Sequence, residues 1–332
     1  MRQSLQARCE AQILNEATVK KGHSFEYESL IKLAALEYTN AGREVDADRL
    51  KECKQIIKDE VGIFSNFRGH MQYLVQVKMA LSDDPRAYFE GVLGVYDQLK
   101  AGIFVPGELV AMAAMTIYDN CPPEARAEVV AKTRDAYAMI KEQHPFLTGE
   151  EDMALIALMI MAGIDPGQAA AKAEELYAML KDSFLPGSDT PQAVAMILAL
   201  YDKPAAQKVA DYLALFNACK EAGHATSRDK AAAIYAAFAG MDADPAELAA
   251  EIGEVDSWLK KQKGYGAFGT GANIRRVFAA THVLEDRKDC AAALVGGTTS
   301  AVTQAIVEEL LLILIAIILA SIVISTTSHS HN

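Results

Sequence analysis

The sequence predicts an all-α protein: an α/α solenoid of about six helical hairpins with a period near 40 residues, plus an apolar C-terminal helix. Three observations predict it. The first is a recurring helix end, an aromatic or large residue followed a few positions later by an aliphatic or thiol residue and a lysine. It reads Tyr96-Asp97-Gln98-Leu99-Lys100, Tyr137-Ala138-Met139-Ile140-Lys141, Tyr177-Ala178-Met179-Leu180-Lys181 and Phe216-Asn217-Ala218-Cys219-Lys220. With an earlier copy at Lys58 and a degenerate one at Trp258-Leu259-Lys260, the lysines are spaced by 42, 41, 40, 39 and 40 residues. Self-similarity at such a period is the mark of stacked two-helix units, none of which can bury its apolar faces alone. The second is helical spacing of apolar residues after each lysine. The third is the absence of any period-2 run bracketed by turns, as a strand would require.

Taken in order, residues 1–45 read as N-terminal capping helices, and Asn40-Ala41-Gly42-Arg43 breaks the chain before the repeats. Residues 46–299 form the hairpin repeats. In each unit a first helix ends at the lysine, and a loop rich in Gly and Pro follows: Phe104-Val105-Pro106-Gly107, His144-Pro145-Phe146-Leu147-Thr148-Gly149, Phe184-Leu185-Pro186-Gly187. A second, apolar helix comes next, with Leu109, Met112, Ala113 and Ile117 on one face, then Leu155, Leu158, Met159 and Ala162, then Val194, Ile197, Leu198 and Tyr201. Asp165-Pro166 and Asp244-Pro245 read as N-caps with proline at the first helical position. Residues 300–327 are the apolar C-terminal helix and 328–332 a polar tail. A period near 40 suits an open solenoid or a closed ring equally.

Composition excludes several functions. The net charge of −12 opposes nucleic-acid binding, which needs Lys and Arg to displace counterions. Five scattered cysteines with no CxxC (Cys9, Cys53, Cys121, Cys219, Cys290) read as reduced thiols, with no disulfide or zinc framework. No apolar signal region follows Met1, so the body is expected in the cytoplasm or at the cytoplasmic face of a membrane.

The C-terminal segment is the most distinctive stretch. Leu310 to Ile324 carries no charge, and the hydroxyl residues extend the run to 18 residues at Thr327. That reaches the lower limit for crossing a bilayer. Leu310, Ile315, Leu319 and Ile324 would lie in such a membrane segment. The competing reading is a final helix buried in protein, apolar all round because it is covered all round.

Other motifs are weaker. Gly264-Tyr265-Gly266-Ala267-Phe268-Gly269 matches G-x-G-x-x-G but follows a helix, so turn and helix-end roles outweigh dinucleotide binding. Arg68, His144, Glu151 and Asp152 are the candidate site residues: a guanidinium for an anion and an acid/base or metal group. The structural account is a capping box, with Thr148 as N-cap and Glu151 at the third helical position. His282, Asp286 and Asp289 share a helix face and read as solvated; His329 and His331 read as a polar end. No cofactor or resident metal is implied.

Gly62-Ile63-Phe64-Ser65-Asn66-Phe67-Arg68-Gly69 and His144 through Asp152 resemble two signature stretches of the bacterial domain-of-unknown-function 4003 family. Gly266 to Gly269 and Arg276 to Ala280 are similar to its closing repeat. The resemblance covers nearly the whole chain and implies a helical architecture with no assigned activity. The reading that follows is a scaffold or interaction protein with a protein or peptide partner, possessing membrane contact only through the C-terminal helix. The alternative is an α/α enzyme with a pocket gathering Arg68, His144 and Asp152.

Overall fold

The computed structural model describes residues 1–22, 28–69, 72–101, 103, 107–266 and 269–287. Among these the regular structure is helical, with no strand. In chain order it comprises α1 (Gln3–Gly22), α2 (Glu28–Asn40), α3 (Ala47–Glu60), a 3-10 turn (Asn66–Arg68), α4 (Gln72–Leu81), α5 (Pro85–Leu99), α6 (Glu108–Asn120) and α7 (Arg126–Gln143). There follow α8 (Asp152–Met161), α9 (Pro166–Leu180), α10 (Thr190–Ala199), α11 (Ala205–Glu221), a 3-10 helix (Lys230–Phe238), α12 (Pro245–Leu259) and α13 (Gly271–Asp286).

Two kinds of helix alternate. α3 and α5 are amphipathic: Leu50, Cys53, Ile56 and Ile57 on one, Tyr88, Phe89, Val92, Tyr96 and Leu99 on the other, face inward at helical spacing. The helices between them are covered on every side. Leu30–Thr39, Tyr73–Ala80, Val110–Ile117, Asp152–Ile160, Thr190–Ala199 and Ala231–Phe238 are unbroken buried runs. Each amphipathic helix packs on the buried helix that follows it, from α1 on α2 to α12 on α13. Buried helices also pack side by side, α6 on α8, α8 on α10, α10 on the 3-10 helix, and that helix on α13. The amphipathic helices form an outer row in the same order.

The two ends of this double row meet. α1 packs on α13, and Met1 and Arg2 reach Glu254 and Glu251 of α12 at 2.5 and 3.1 Å. The described helices therefore follow a closed path, seven inner elements inside seven outer ones.

Local signals set the helix starts. Asp84 accepts from the backbone N–H groups of Arg86 and Ala87, both at 3.0 Å, with Pro85 at the first position of α5. Asp46 likewise accepts from the Asp48 and Arg49 N–H groups at the start of α3, and Asp244 accepts from the Ala246 N–H at 2.7 Å at the start of α12. Asp165 holds the N-cap position of α9, but its side chain makes no capping bond and lies 4.0 Å from Lys132. Asp84→Ala should cost about 1 kcal/mol, the usual value of an N-cap, and lower the melting temperature by about 2–4 °C. A thermal melt checks this, and no shift would mean the two bonds are replaced by water without loss. Cys9, Cys53, Cys121 and Cys219 are free and buried, and burial raises each thiol pKa.

Candidate functional site

Because outer and inner helices alternate, the inner helices run parallel and begin at one rim. A helix start carries unpaired N–H groups and a partial positive charge, so it attracts carboxylates. The sequence supplies them: Glu108, Glu150 to Asp152, Asp189 and Asp229 all sit at these starts. They link one start to the next. The Gly107 N–H donates to Glu150 Oε2 at 2.5 Å, joining α6 to α8. Gln192 Nε2 donates to Thr148 Oγ1 and Asp152 Oδ2, both at 3.0 Å, joining α10 to α8. Lys230 Nζ reaches Glu151 at 3.0 Å and Asp189 at 2.9 Å. Asn273 accepts from the Ser227 N–H at 2.7 Å, tying in α13. Gly69 lies against the Glu108 carboxylate so closely that a Cβ there would overlap it. The result is a polar belt along the rim from the turn before α4 to α13.

Asp152 is its most perturbed member. It is buried, and its Oδ2 also accepts from the Gly149 N–H at 3.0 Å. Burial, then the neighbouring Glu151 charge, push its carboxyl up to about 7, against the pull of the Gly149 N–H and Lys230. Burial also raises Glu150. Burial would lower Lys230, but Glu151 and Asp189 outweigh it and hold its pKa up.

The four sequence candidates divide. Glu151 and Asp152 are in the belt. His144 ends α7 and turns outward, with Nε2 2.5 Å from Glu174 of α9 and its ring 4.5 Å from that of Tyr177. Arg68 closes the 3-10 turn and donates to the Val61 carbonyl at 3.4 Å. Among the described residues no hydrogen bond or ion pair joins Arg68, His144 and Asp152. Grooves of about 610 Å³ between α5 and α7 and about 640 Å³ between α1 and α12 have none of the three in their walls.

Two local expectations change and one stands. The capping box does not form, because α8 starts at Asp152, whose own side chain takes the Gly149 N–H while Thr148 turns to Gln192. The turn reading of the glycine-rich stretch agrees with Gly264, which sits at φ +85° and whose carbonyl accepts from the Thr270 N–H at 3.1 Å. The solvated face containing His282 is instead interior. His282 has no exposed surface, and burial, then the Arg8 charge, push its pKa down to about 3. Asp286 pairs with Arg2 at 3.0 Å, and Asp289 lies outside the described residues.

Sequence reasoning missed Gln192 and Lys230, single polar residues abutting apolar runs. It also missed the seam where the ends meet. There Lys32 Nζ lies 3.1 Å from Glu16 Oε2 and 4.1 Å from the centre of the Tyr265 ring. Tyr265 donates its hydroxyl hydrogen to Glu16, and Gln12 Nε2 donates to Glu16 and to the Lys32 carbonyl at 3.0 and 2.8 Å.

Beyond the belt, the loops entering the inner helices expose large apolar side chains. Phe64 is 97 % exposed, Phe146 99 %, Leu185 77 % and Ile63 69 %. These loops lead into α4, α8 and α10, so all four residues sit on the belt rim. Among the described residues no group of three His, Cys, Asp or Glu side chains is placed to hold a metal, and no helix is long and apolar enough to cross a membrane. The membrane candidates Leu310, Ile315, Leu319 and Ile324 lie outside the described residues.

The family model described as "Protein of unknown function (DUF4003)" matches residues 15–321, nearly the whole chain. Among curated proteins and among solved structures nothing matches.

Proposed function

The chain belongs to the DUF4003 family of proteins of unknown function, and from that premise we propose that it is a helical-repeat interaction protein that docks a protein partner on its belt rim. One observation carries the reading: Phe64, Phe146 and Leu185 stand almost fully in solvent on the same rim. A lone exposed apolar residue needs no explanation, but repeated ones on one rim mark a contact surface. Aromatic side chains are also the commonest anchors of protein interfaces. The belt beneath holds the loops in place, so the surface is presented without an ordering cost on binding. The net charge of −12 disfavours anionic lipid as the target. An α/α enzyme would need an open pocket at Asp152, and its carboxyl is sealed by Gln192 and the Gly149 N–H.

The test is a Phe64→Ser/Phe146→Ser/Leu185→Ser variant, compared with the unaltered protein by crosslinking and affinity capture in its own cells. A stoichiometric partner should be retained by the unaltered protein and weakened at least about tenfold by the variant, with an unchanged melt because the side chains are exposed. Equal capture by both proteins would refute the rim as the interface. Flotation of the unaltered protein with neutral phosphatidylcholine vesicles, lost in the variant, would transfer the surface to lipid.

A further inference from the structure

The exposed apolar side chains occupy only part of the belt rim, in the loops after α3, α7 and α9. Across the seam the same rim is basic. Outer helices end where inner ones begin, so the last turns of α11, α12 and α1, and the residues after them, lie there. α1 brings Lys20 and Lys21, α11 brings Lys220 with Arg228 in the loop behind it, and α12 is followed by Lys260, Lys261 and Lys263. These cations line adjoining recesses. Lys20, Lys21 and Lys263 share one of about 410 Å³. Lys261 stands beside Ala222 and His224 in the groove between α1 and α12. Lys220, Arg228 and Arg276 line a third of about 380 Å³, with Phe216 in its wall.

Most of this charge is uncompensated, in a chain of net charge −12. Lys20 pairs with Glu28 at 3.0 Å, but among the described residues Lys21, Lys220, Arg228, Lys260, Lys261 and Lys263 form no ion pair. Of the acids nearby, Glu16 takes Lys32 and Asp229 caps the 3-10 helix through the Ala231 N–H at 2.9 Å, while Glu221 is exposed beside Lys220. On the opposite arc Lys100 pairs with Asp97 at 2.6 Å, and Glu150, Glu151, Asp152 and Asp189 crowd the inner helix starts. The third recess is also preorganised. Arg276 donates to the Ala225 and Gly223 carbonyls at 2.6 and 2.9 Å. Arg228 donates to the Ser183 carbonyl at 2.9 Å and covers the Phe216 ring at 4.8 Å. Both guanidinium groups are thus held in place with N–H groups to spare.

We propose that this basic arc binds an acidic segment of the docked partner, its carboxylates seated on Lys220, Arg228 and the lysines after α12. The inference rests on the docking reading above. Arg228 ties the two surfaces together, because Ser183 opens the loop that carries the exposed Leu185. Opposite charge on one arc alone also fixes which way round the partner lies. A short acidic segment meets only the arc. A membrane or a nucleic acid laid across the rim would meet the belt carboxylates as well, and be repelled by them.

A fluorescent oligoglutamate peptide is the probe, with the full chain as receptor. Lys220→Gln/Lys260→Gln/Lys261→Gln/Lys263→Gln removes four exposed cations of the arc. Lys51→Gln/Lys54→Gln/Lys132→Gln/Lys172→Gln removes four from the outer helices away from it and gives a control of equal net charge. Fluorescence anisotropy at low salt should show binding to the unaltered protein, weakened at least about tenfold by the arc variant and less than about twofold by the control, and abolished at about 0.5 M salt. Should the arc variant melt early, Lys261→Glu, a single exposed change, should still weaken binding at least about threefold. Failure of the probe to bind, or equal binding to arc variant and control, overturns the proposal. So does capture of phosphatidylserine vesicles or a single-stranded oligonucleotide, sensitive to the arc variant, with no oligoglutamate bound. The docking reading is scored apart from this. Partner capture lost on the three serine substitutions but unchanged in the arc variant keeps the rim as the interface and overturns the acidic segment. Probe binding that follows the arc, with capture indifferent to the serines, keeps the arc and removes the apolar docking.

Discussion

Replacing Lys32 by alanine is expected to destabilise the protein by about 3–5 kcal/mol, the cost of leaving one partner of a buried ion pair without the other. Lys32 is 1 % exposed and Glu16 8 %, so water replaces neither partner well. With Lys32 gone, Glu16 keeps only neutral donors, the Tyr265 hydroxyl and the Gln12 amide. The cation above the Tyr265 ring is lost as well. Urea unfolding gives the number directly. The companion variant Lys32→Met/Glu16→Gln removes both charges and should recover most of the loss, because a buried pair is often worth little more than a well-packed neutral one. A Lys32→Ala protein that unfolds like the unaltered one would mean the two chain ends do not depend on this cluster.

Asp152→Asn is expected to change how stability depends on pH. The native carboxyl sits at about 7 against an ordinary value of 3.8, so between these pH values the folded protein holds a proton that the unfolded chain has released. Stability from this group is complete below about pH 4, falls as pH rises, and is fully lost above about pH 7. Asparagine keeps an oxygen for the Gly149 N–H and Gln192 and never ionises. Above pH 7 the variant should therefore exceed the unaltered protein by about 2–4 kcal/mol, with the gap closing toward pH 4. Parallel curves across that range would show that Lys230 already compensates the charge.

How much of this was legible depends on distance along the chain. The outer helices could be read because each signal is local: Asp244-Pro245 at a start, Tyr96 to Lys100 at an end, apolar residues three and four apart between. The inner helices read as apolar but not as covered on all sides, since periodicity does not distinguish one buried face from several. His282 was misplaced for that reason: its spacing with Asp286 matches a solvated face, but its surroundings come from α1. The seam was invisible, because Glu16 and Tyr265 are 249 residues apart and no pattern within one sequence connects them. Within the site, Glu151 and Asp152 stood out as an acidic cluster at a helix start. Their partners Gln192 and Lys230 belong to other repeats and carry no signal of their own.

The meeting of α1 with α12 and α13 also sets a schedule for synthesis. In an open row of repeats each hairpin finds its neighbour as soon as it leaves the ribosome. Here Glu16 gains its Tyr265 partner only after about 250 further residues are made, about 12–50 s at ordinary elongation rates. For that interval the first helix has one flank on α2 and the other bare. The growing chain passes through an incomplete arc in which the Gln12, Glu16 and Lys32 cluster waits for its last partner, so the seam closes only when the final hairpin has been made.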